Sequence, residues 1–315
     1  MGLEFPTESI PAYFAQFANT AIAPAVQSLG AITPVTPSDS RFSINWGWNA
    51  EGGGSGLGWA DVGYISGTPG AGSLNFIPSH EVDTFDVWYL GGPTSGSIVA
   101  SVNGESATTI ATARSATGVG KATITGAPGS FNVLSLYSLT NGPVFLFAID
   151  AYLSTAAALH VGNAGVSGLG SSKNWATASP GSSLSCIEAY APSLTVIALG
   201  GDDAILSGPP TSVADFTTAV QSVISAAQRS GDVLLWTEPL SESGGLVSVP
   251  AEQEYASALY GLASKNNVGL VDIGALFVSG ASAAAAGLFY DQYHPNQQGN
   301  ADIALALTEA LGSVA

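Results

Sequence analysis

An aspartate and a histidine stand three positions apart in Asp291-Gln292-Tyr293-His294-Pro295-Asn296, shortly before a helical C-terminus. Such a pair can do acid–base chemistry, since an imidazole takes a proton while a carboxylate orients it and stabilises its charge. The chain has only three histidines, so one in this setting carries weight. A serine would complete a nucleophilic triad, and none is obvious. Two further polar turns follow strand-like runs. Gly162-Asn163-Ala164-Gly165-Val166-Ser167-Gly168 comes after Val161, and Gly200-Gly201-Asp202-Asp203 comes after Leu199. Gly165 can present a backbone N–H, the kind of donor that stabilises an oxyanion.

The elements that must position these residues fall into three zones. Residues 1–40 open with a helix expected from Ser9 to about Ala21, because Ile10, Tyr13, Phe14, Phe17 and Ile22 recur at helical spacing. A Pro- and Thr-rich loop follows, Ile32 to Ser40. Residues 41–150 read as β throughout. Short alternating or aromatic runs such as Phe42–Trp46, Thr84–Tyr89, Ser97–Val102 and Val144–Ile149 are punctuated by Gly, Pro and Asn, the rhythm of a sandwich. Asn103-Gly104 is a hairpin signal. Residues 151–315 change period. Buried-type strands at Ala156–Val161, Leu194–Leu199, Val233–Thr237 and Val268–Ile273 alternate with helices. One helix opens at the capping pattern Ser212-Val213-Ala214-Asp215. Another covers about Glu252 to Lys265, and a last one about Asn300 to Leu311. This alternation predicts a parallel sheet covered on both faces, with its chemistry beyond the carboxyl ends of the strands.

Composition narrows the function classes. Of 315 residues, only six are Lys or Arg against 23 acids, for a net charge of −17. That argues against nucleic-acid or anionic-membrane partners. Charged residues make up 9% of the chain, so the surface must be largely Ser, Thr, Gly and Asn. Such a surface suits an extracellular or virion-associated protein. Cys186 stands alone, which leaves no intrachain disulfide and no cysteine zinc site, and no metal or cofactor is expected. No apolar run is long enough to span a membrane. The N-terminus lacks the basic and apolar regions of a signal peptide.

Taken together, the three turns resemble the blocks of the SGNH (GDSL-like) hydrolase family. Asn163-Ala164-Gly165-Val166-Ser167-Gly168 is similar to its second block, Leu199-Gly200-Gly201-Asp202-Asp203 to its third, and Asp291-Gln292-Tyr293-His294-Pro295-Asn296-Gln297-Gln298-Gly299 to its fifth. The resemblance covers residues 156–311. It implies a flavodoxin-like three-layer α/β/α fold over 1–40 and 151–315, interrupted at 41–150 by an inserted all-β sandwich of jelly-roll-like texture. Such β-modules occur in SGNH-like proteins of bacteria and tailed phages. It further implies His294 as general base, Asp291 as its orienting partner, and Gly165 N–H as an oxyanion donor.

Two departures qualify the resemblance. The third block normally carries Asn where this chain has Asp202, and an ionised carboxylate cannot donate a hydrogen bond to an oxyanion. The first block, a strand followed by Gly-Asp-Ser, is absent. The chain opens at Met1-Gly2-Leu3-Glu4 and is expected to be in the following helix by Ser9. Three readings follow: a chain that starts past its nucleophile, a scaffold that has lost catalysis, or another serine in the role. Ser40 has the Asp-Ser pair but lies between prolines and a β-strand. Ser9 starts a helix but lacks a preceding strand. In the β zone, Trp46, Trp48, Trp59, Trp88 and Tyr89 either stack on sugar rings or fill the core. Trp88 and Tyr89 are adjacent in a strand and face opposite sides, so one of them leaves the sandwich core or packs on the other domain. The expected function is a serine esterase or deacetylase acting on an acylated carbohydrate. The alternative is an inactive scaffold that binds glycans or builds an envelope or phage particle.

Overall fold

The computed structural model describes residues 25–28, 41–51, 64–78, 81–128, 131–138, 142–155, 159–162, 164, 172–204, 209–239, 248–277, 279–291 and 294–312. The expected helix from Ser9, the segment holding Ser40, Trp59, and Asn163 with Gly165 lie outside these residues.

The middle of the chain forms two five-stranded antiparallel sheets. One has the order β2 (Phe42–Ile44), β5 (Ser73–Phe76), β10 (Leu134–Ser138), β7 (Ser97–Val102), β8 (Thr108–Ala111). The other has the order β3 (Trp48–Glu51), β4 (Tyr64–Gly67), β11 (Val144–Tyr152), β6 (Thr84–Gly91), β9 (Gly118–Thr125). Alternate side chains of both sheets meet in one core that includes Leu74, Phe76, Phe85, Val87, Ile98, Leu134, Leu136 and Leu146. The period-2 pattern of the sequence therefore becomes a shared apolar layer between facing sheets. The hairpin signal after β7 is realised, with Asn103 and Gly104 both at positive φ, 54° and 72°.

The flanking residues are α/β. β1 (Ala25–Ser28) pairs parallel with β12 (Leu159–Gly162). A second parallel set has the order β13 (Leu194–Ala198), β14 (Asp232–Trp236), β15 (Gly269–Val271). Among the described residues no strand joins the two sets, and Leu194 and Val196 of β13 are exposed at 37% and 38%. The helices are α1 (Ser172–Trp175), α2 (Ser183–Tyr190), α3 (Val213–Ala227), α4 (Val249–Asn266), α5 (Ile273–Phe277), α6 (Gly280–Ala285) and α7 (Gln297–Gly312). α3 starts where the sequence places it, with the Ser212 hydroxyl accepting from Asp215 N–H at 3.1 Å. It buries Phe216, Val220, Val223 and Ile224, which recur at helical spacing, and Phe216 stacks on Tyr255 of α4 at 4.4 Å.

The two regions meet through Trp88. It leaves the two-sheet core and joins the α/β core, packing on Tyr190 at 5.1 Å, while its neighbour Tyr89 stays between the sheets. Trp48 is also a core residue, 5% exposed, with its indole N–H bonded to Gly72 O at 2.6 Å. The sugar-stacking role expected as one option for Trp48, Trp88 and Tyr89 gives way to packing. Trp46, 73% exposed, is the member of the set that remains on the surface.

Candidate active site

The dyad is preformed. Asp291 Oδ2 lies 2.7 Å from His294 Nδ1, and Asp291 Oδ1 accepts the His294 backbone N–H at 2.7 Å. One carboxylate thus fixes both the ring and the backbone of the same histidine, which the three-residue spacing allows only in a tight turn. Tyr290 N–H donates to His294 O at 2.7 Å, and Phe289 and Pro295 form an antiparallel bridge around the pair. The turn then enters α7, where Asn296 Oδ1 accepts from Gly299 N–H. With Nδ1 directed at the carboxylate, Nε2 is the ring nitrogen left to accept a proton. Both side chains reach solvent, 44% exposed for His294 and 36% for Asp291.

The dyad sits at the carboxyl edge of the sheet. Leu288 and Phe289, just before it, pack in the same apolar cluster as Trp236 and Val271, the last residues of β14 and β15. The other carboxyl ends supply further acids. After β13 the chain turns through Gly200, whose φ of 136° favours a residue without Cβ. It then enters a short 3-10 turn, Asp202–Ala204.

Asp202 is partly exposed there, whereas Asp203 is buried at 2% exposure. Asp203 Oδ2 and Oδ1 accept from Ser172 N–H and Oγ–H at 2.8 and 2.7 Å. Tyr255 donates its hydroxyl to Asp203 O and Thr211 O. Burial pushes the Asp203 carboxyl up, against the pull of the Ser172 and Thr211 hydrogen bonds. Asp203 is therefore an internal tie. It anchors α1 to the turn that carries Asp202.

Sequence reasoning missed two members of this edge. Glu238 follows β14, and burial pushes its carboxyl up to about 7. The Trp236 side chain works against that shift, while the nearby charges of Asp202 and Glu252 add to it. Glu252 itself is buried in the first turn of α4, and Ser248 N–H, at the cap of that helix, donates to Ala204 O. Asp272 follows β15. Burial opposes its charge, but the Tyr260 and Thr237 hydroxyls and the Ala275 N–H outweigh it and hold the carboxyl below its usual range. The signal for both residues was in the sequence: each is a polar residue directly beyond the end of a buried strand.

The structure thus brings Asp291 and His294 into contact and puts Asp202 beyond the end of a neighbouring strand. Gly165, Ser9 and Ser40 lie outside the described residues. Among the described residues, no group of three or more His, Cys, Asp or Glu side chains could hold a metal ion. Cys186 is buried and its thiol pushed up by burial, which makes it inert packing.

Comparison with known proteins adds three findings. Residues 138–301 match the model of the GDSL-like lipase/acylhydrolase family. No curated protein sequence matches the chain. Among solved structures, one described as a peptidoglycan O-acetylesterase in action is 13% identical, with 99% of this chain and 89% of that chain covered and a TM-score of 0.73. The acetyl xylan esterase AlAXEase is 20% identical over 49% of this chain and 82% of its own, at a TM-score of 0.42. Est24, a carbohydrate acetylesterase from Sinorhizobium meliloti, is 13% identical over 42% and 69%, at 0.35. The first of these likenesses extends across both regions and concerns the fold.

Proposed function

The chain belongs to the GDSL-like lipase/acylhydrolase family, and from that premise we propose that it is a serine-type ester hydrolase acting on an acylated carbohydrate. The observation that carries the reading is the Asp291–His294 pair, already at 2.7 Å. In this mechanism His294 Nε2 takes the proton of an attacking serine hydroxyl, and the serine oxygen bonds to the acyl carbon. The protonated imidazole then gives its proton to the departing alcohol. Water, activated by the same nitrogen, cleaves the acyl-enzyme to the free acid. Asp291 keeps the ring oriented and offsets its transient charge. The Gly165 N–H is proposed as an oxyanion donor.

The nucleophile is the open member. Among the described residues β13 is an edge strand, which supports a place in the sheet for one more strand, the element that precedes the serine in this family. Ser9 and Ser40 are the candidates within the chain. The neutral, hydroxyl-rich composition supports an extracellular or particle-borne setting and a glycan substrate. The exposed Trp46 is one aromatic that could stack on a sugar ring. A second reading, a scaffold that has lost catalysis, is favoured by one observation. Asp202 stands where an amide donor is needed, with Glu238 and Glu252 close enough to add to the negative field.

Hydrolysis of 4-nitrophenyl acetate decides between them, measured for the chain and for His294→Ala, Ser9→Ala and Ser40→Ala. Loss in His294→Ala and in one serine variant supports the enzyme and names its nucleophile. Equal background rates in all four remove catalysis and leave the scaffold.

A further inference from the structure

All six lysine and arginine side chains of the protein lie in described residues, so their placement can be followed completely. Three belong to the two-sheet region. Lys121 pairs with Asp86 at 2.8 Å, Arg114 lies over the Tyr89 ring at 5.3 Å, and Arg41 lies over the Phe76 ring at 5.7 Å. Two lie at the amino end of the parallel sheet. Arg229 follows α3 just before β14 and bonds Glu188 at 2.7 Å, and Lys265 ends α4 just before β15. The carboxyl end has Lys173 alone, and it pairs with Asp215 at 3.2 Å.

The carboxyl end holds several acids beside this single lysine. Asp202, Glu238 and Asp272 each follow a strand of the β13–β15 sheet, Glu252 opens α4 beside them, and Asp291 holds the histidine. Asp272 is kept charged by its hydroxyl partners. An ester approaching His294 therefore meets several carboxylates and no uncommitted Lys or Arg. Charges of one sign along one edge sum into a field that reaches a ligand before contact and repels like charge. Asp202, Glu238 and Asp272 are partly exposed, so the field is open to screening by salt.

We propose that this site selects esters by charge. It accepts those of uncharged alcohols, such as neutral sugars, and rejects those whose alcohol part carries a carboxylate, such as uronic acids. The specificity rests on the ester-hydrolase reading above and assigns the carboxyl-end acids a role in it.

The test compares methyl 4-acetoxybenzoate with 4-acetoxybenzoate, which differ by one remote negative charge. Each kcat/KM is normalised to that ester's own hydroxide-catalysed rate, so the leaving group cancels. At low ionic strength the anionic ester is expected to be disfavoured about tenfold. The gap is expected to shrink to about twofold near 0.5 M salt, where screening acts over only about 4 Å. Glu252→Gln is expected to narrow the low-salt gap without salt. Equal normalised rates at low salt, or a gap that salt leaves unchanged, would overturn the selection by charge while leaving the esterase standing. No turnover of either ester overturns the esterase reading and the selection with it.

Discussion

Asp86 of the two-sheet region is 6% exposed and has Lys121 at 2.8 Å and the Thr123 hydroxyl on its other oxygen. Glu238, at the carboxyl end of the parallel sheet, has acidic neighbours instead, and its carboxyl is pushed up to about 7. The contrast extends to the aromatics. Trp48 is enclosed between the sheets and Trp88 seals the seam between regions, whereas Tyr290, beside Asp291, stands open to water. In the first region the buried Asp86 is matched by a cation and a hydroxyl. At the carboxyl end of the second, Glu238 has further acids beside it, an arrangement that disfavours the charged form.

The largest effect that separates the two belongs to His294. His294→Ala is expected to lower kcat/KM for ester hydrolysis by about 10⁴-fold or more. Its stability should stay within about 0.5 kcal/mol of the parent, because the side chain is 44% exposed. A denaturant midpoint beside the rate measures both. A large loss of stability would mean that the dyad is a structural tie like Asp203, and the contrast between regions would fail.

Trp48→Ala should do the reverse. It empties a buried indole site and leaves Gly72 O without its donor, at a cost of about 3–5 kcal/mol. Rates per folded molecule should not change. Trp46→Ala, on an exposed ring two positions away, is expected within about 0.5 kcal/mol. Comparable midpoints for the two variants would contradict the assignment of the first to the core and the second to the surface.

Glu238→Gln tests the charged edge. A carboxyl with its pKa raised from 4.5 to about 7 binds a proton in the folded chain that the unfolded chain has released. The folded state is therefore progressively penalised as pH rises from about 4.5 to 7, by at most about 3 kcal/mol. The glutamine variant carries no such penalty. It should match the parent near pH 4 and exceed it in stability near pH 8. A parent whose stability is flat across that window, relative to the variant, would show that Glu238 is hydrated and ordinary.

What could be read in the sequence was what is local. The dyad sits in one turn, the Ser212 cap is closed by a residue three positions on, and the Asn103-Gly104 hairpin needs only its own φ preferences. Strand alternation also showed that Trp88 and Tyr89 must part. It could not show that the surface awaiting Trp88 is α2, because that contact joins residues about a hundred positions apart. Short elements escaped as well. β1 is four residues long, and α6 is a run of Gly, Ala and Ser with no apolar stripe to mark a buried face. Glu238 was legible as a polar residue after a strand but not as a raised carboxyl. Its burial, the main cause of the shift, and the smaller push from Asp202 and Glu252 come from other elements.

Lys121 offers the smallest and most direct test of the contrast. Asp86 and Asp150 stand directly opposite each other on β6 and β11, both buried, and the Trp88 indole N–H reaches Asp150 at 3.3 Å. The Asp86 hydrogen bond and charge raise the Lys121 amine above its usual value, against the cost of burial. A cation with a raised pKa contributes stability that is fully present below about pH 10.5 and is lost as pH climbs through the folded value. Because Lys121 is 43% exposed, solvent screens part of the attraction. Lys121→Met is then expected to cost about 1–2 kcal/mol at pH 8. The loss should hold up to about pH 10.5 and shrink above it, as the amine of the parent deprotonates. Glu238→Gln gains between about pH 4.5 and 7, where the Lys121→Met loss stays constant, so the two melting series read each region in its own window. If Lys121→Met cost nothing at about pH 8, or Glu238→Gln gained nothing between about pH 4 and 8, the distinction drawn between the two regions would not hold.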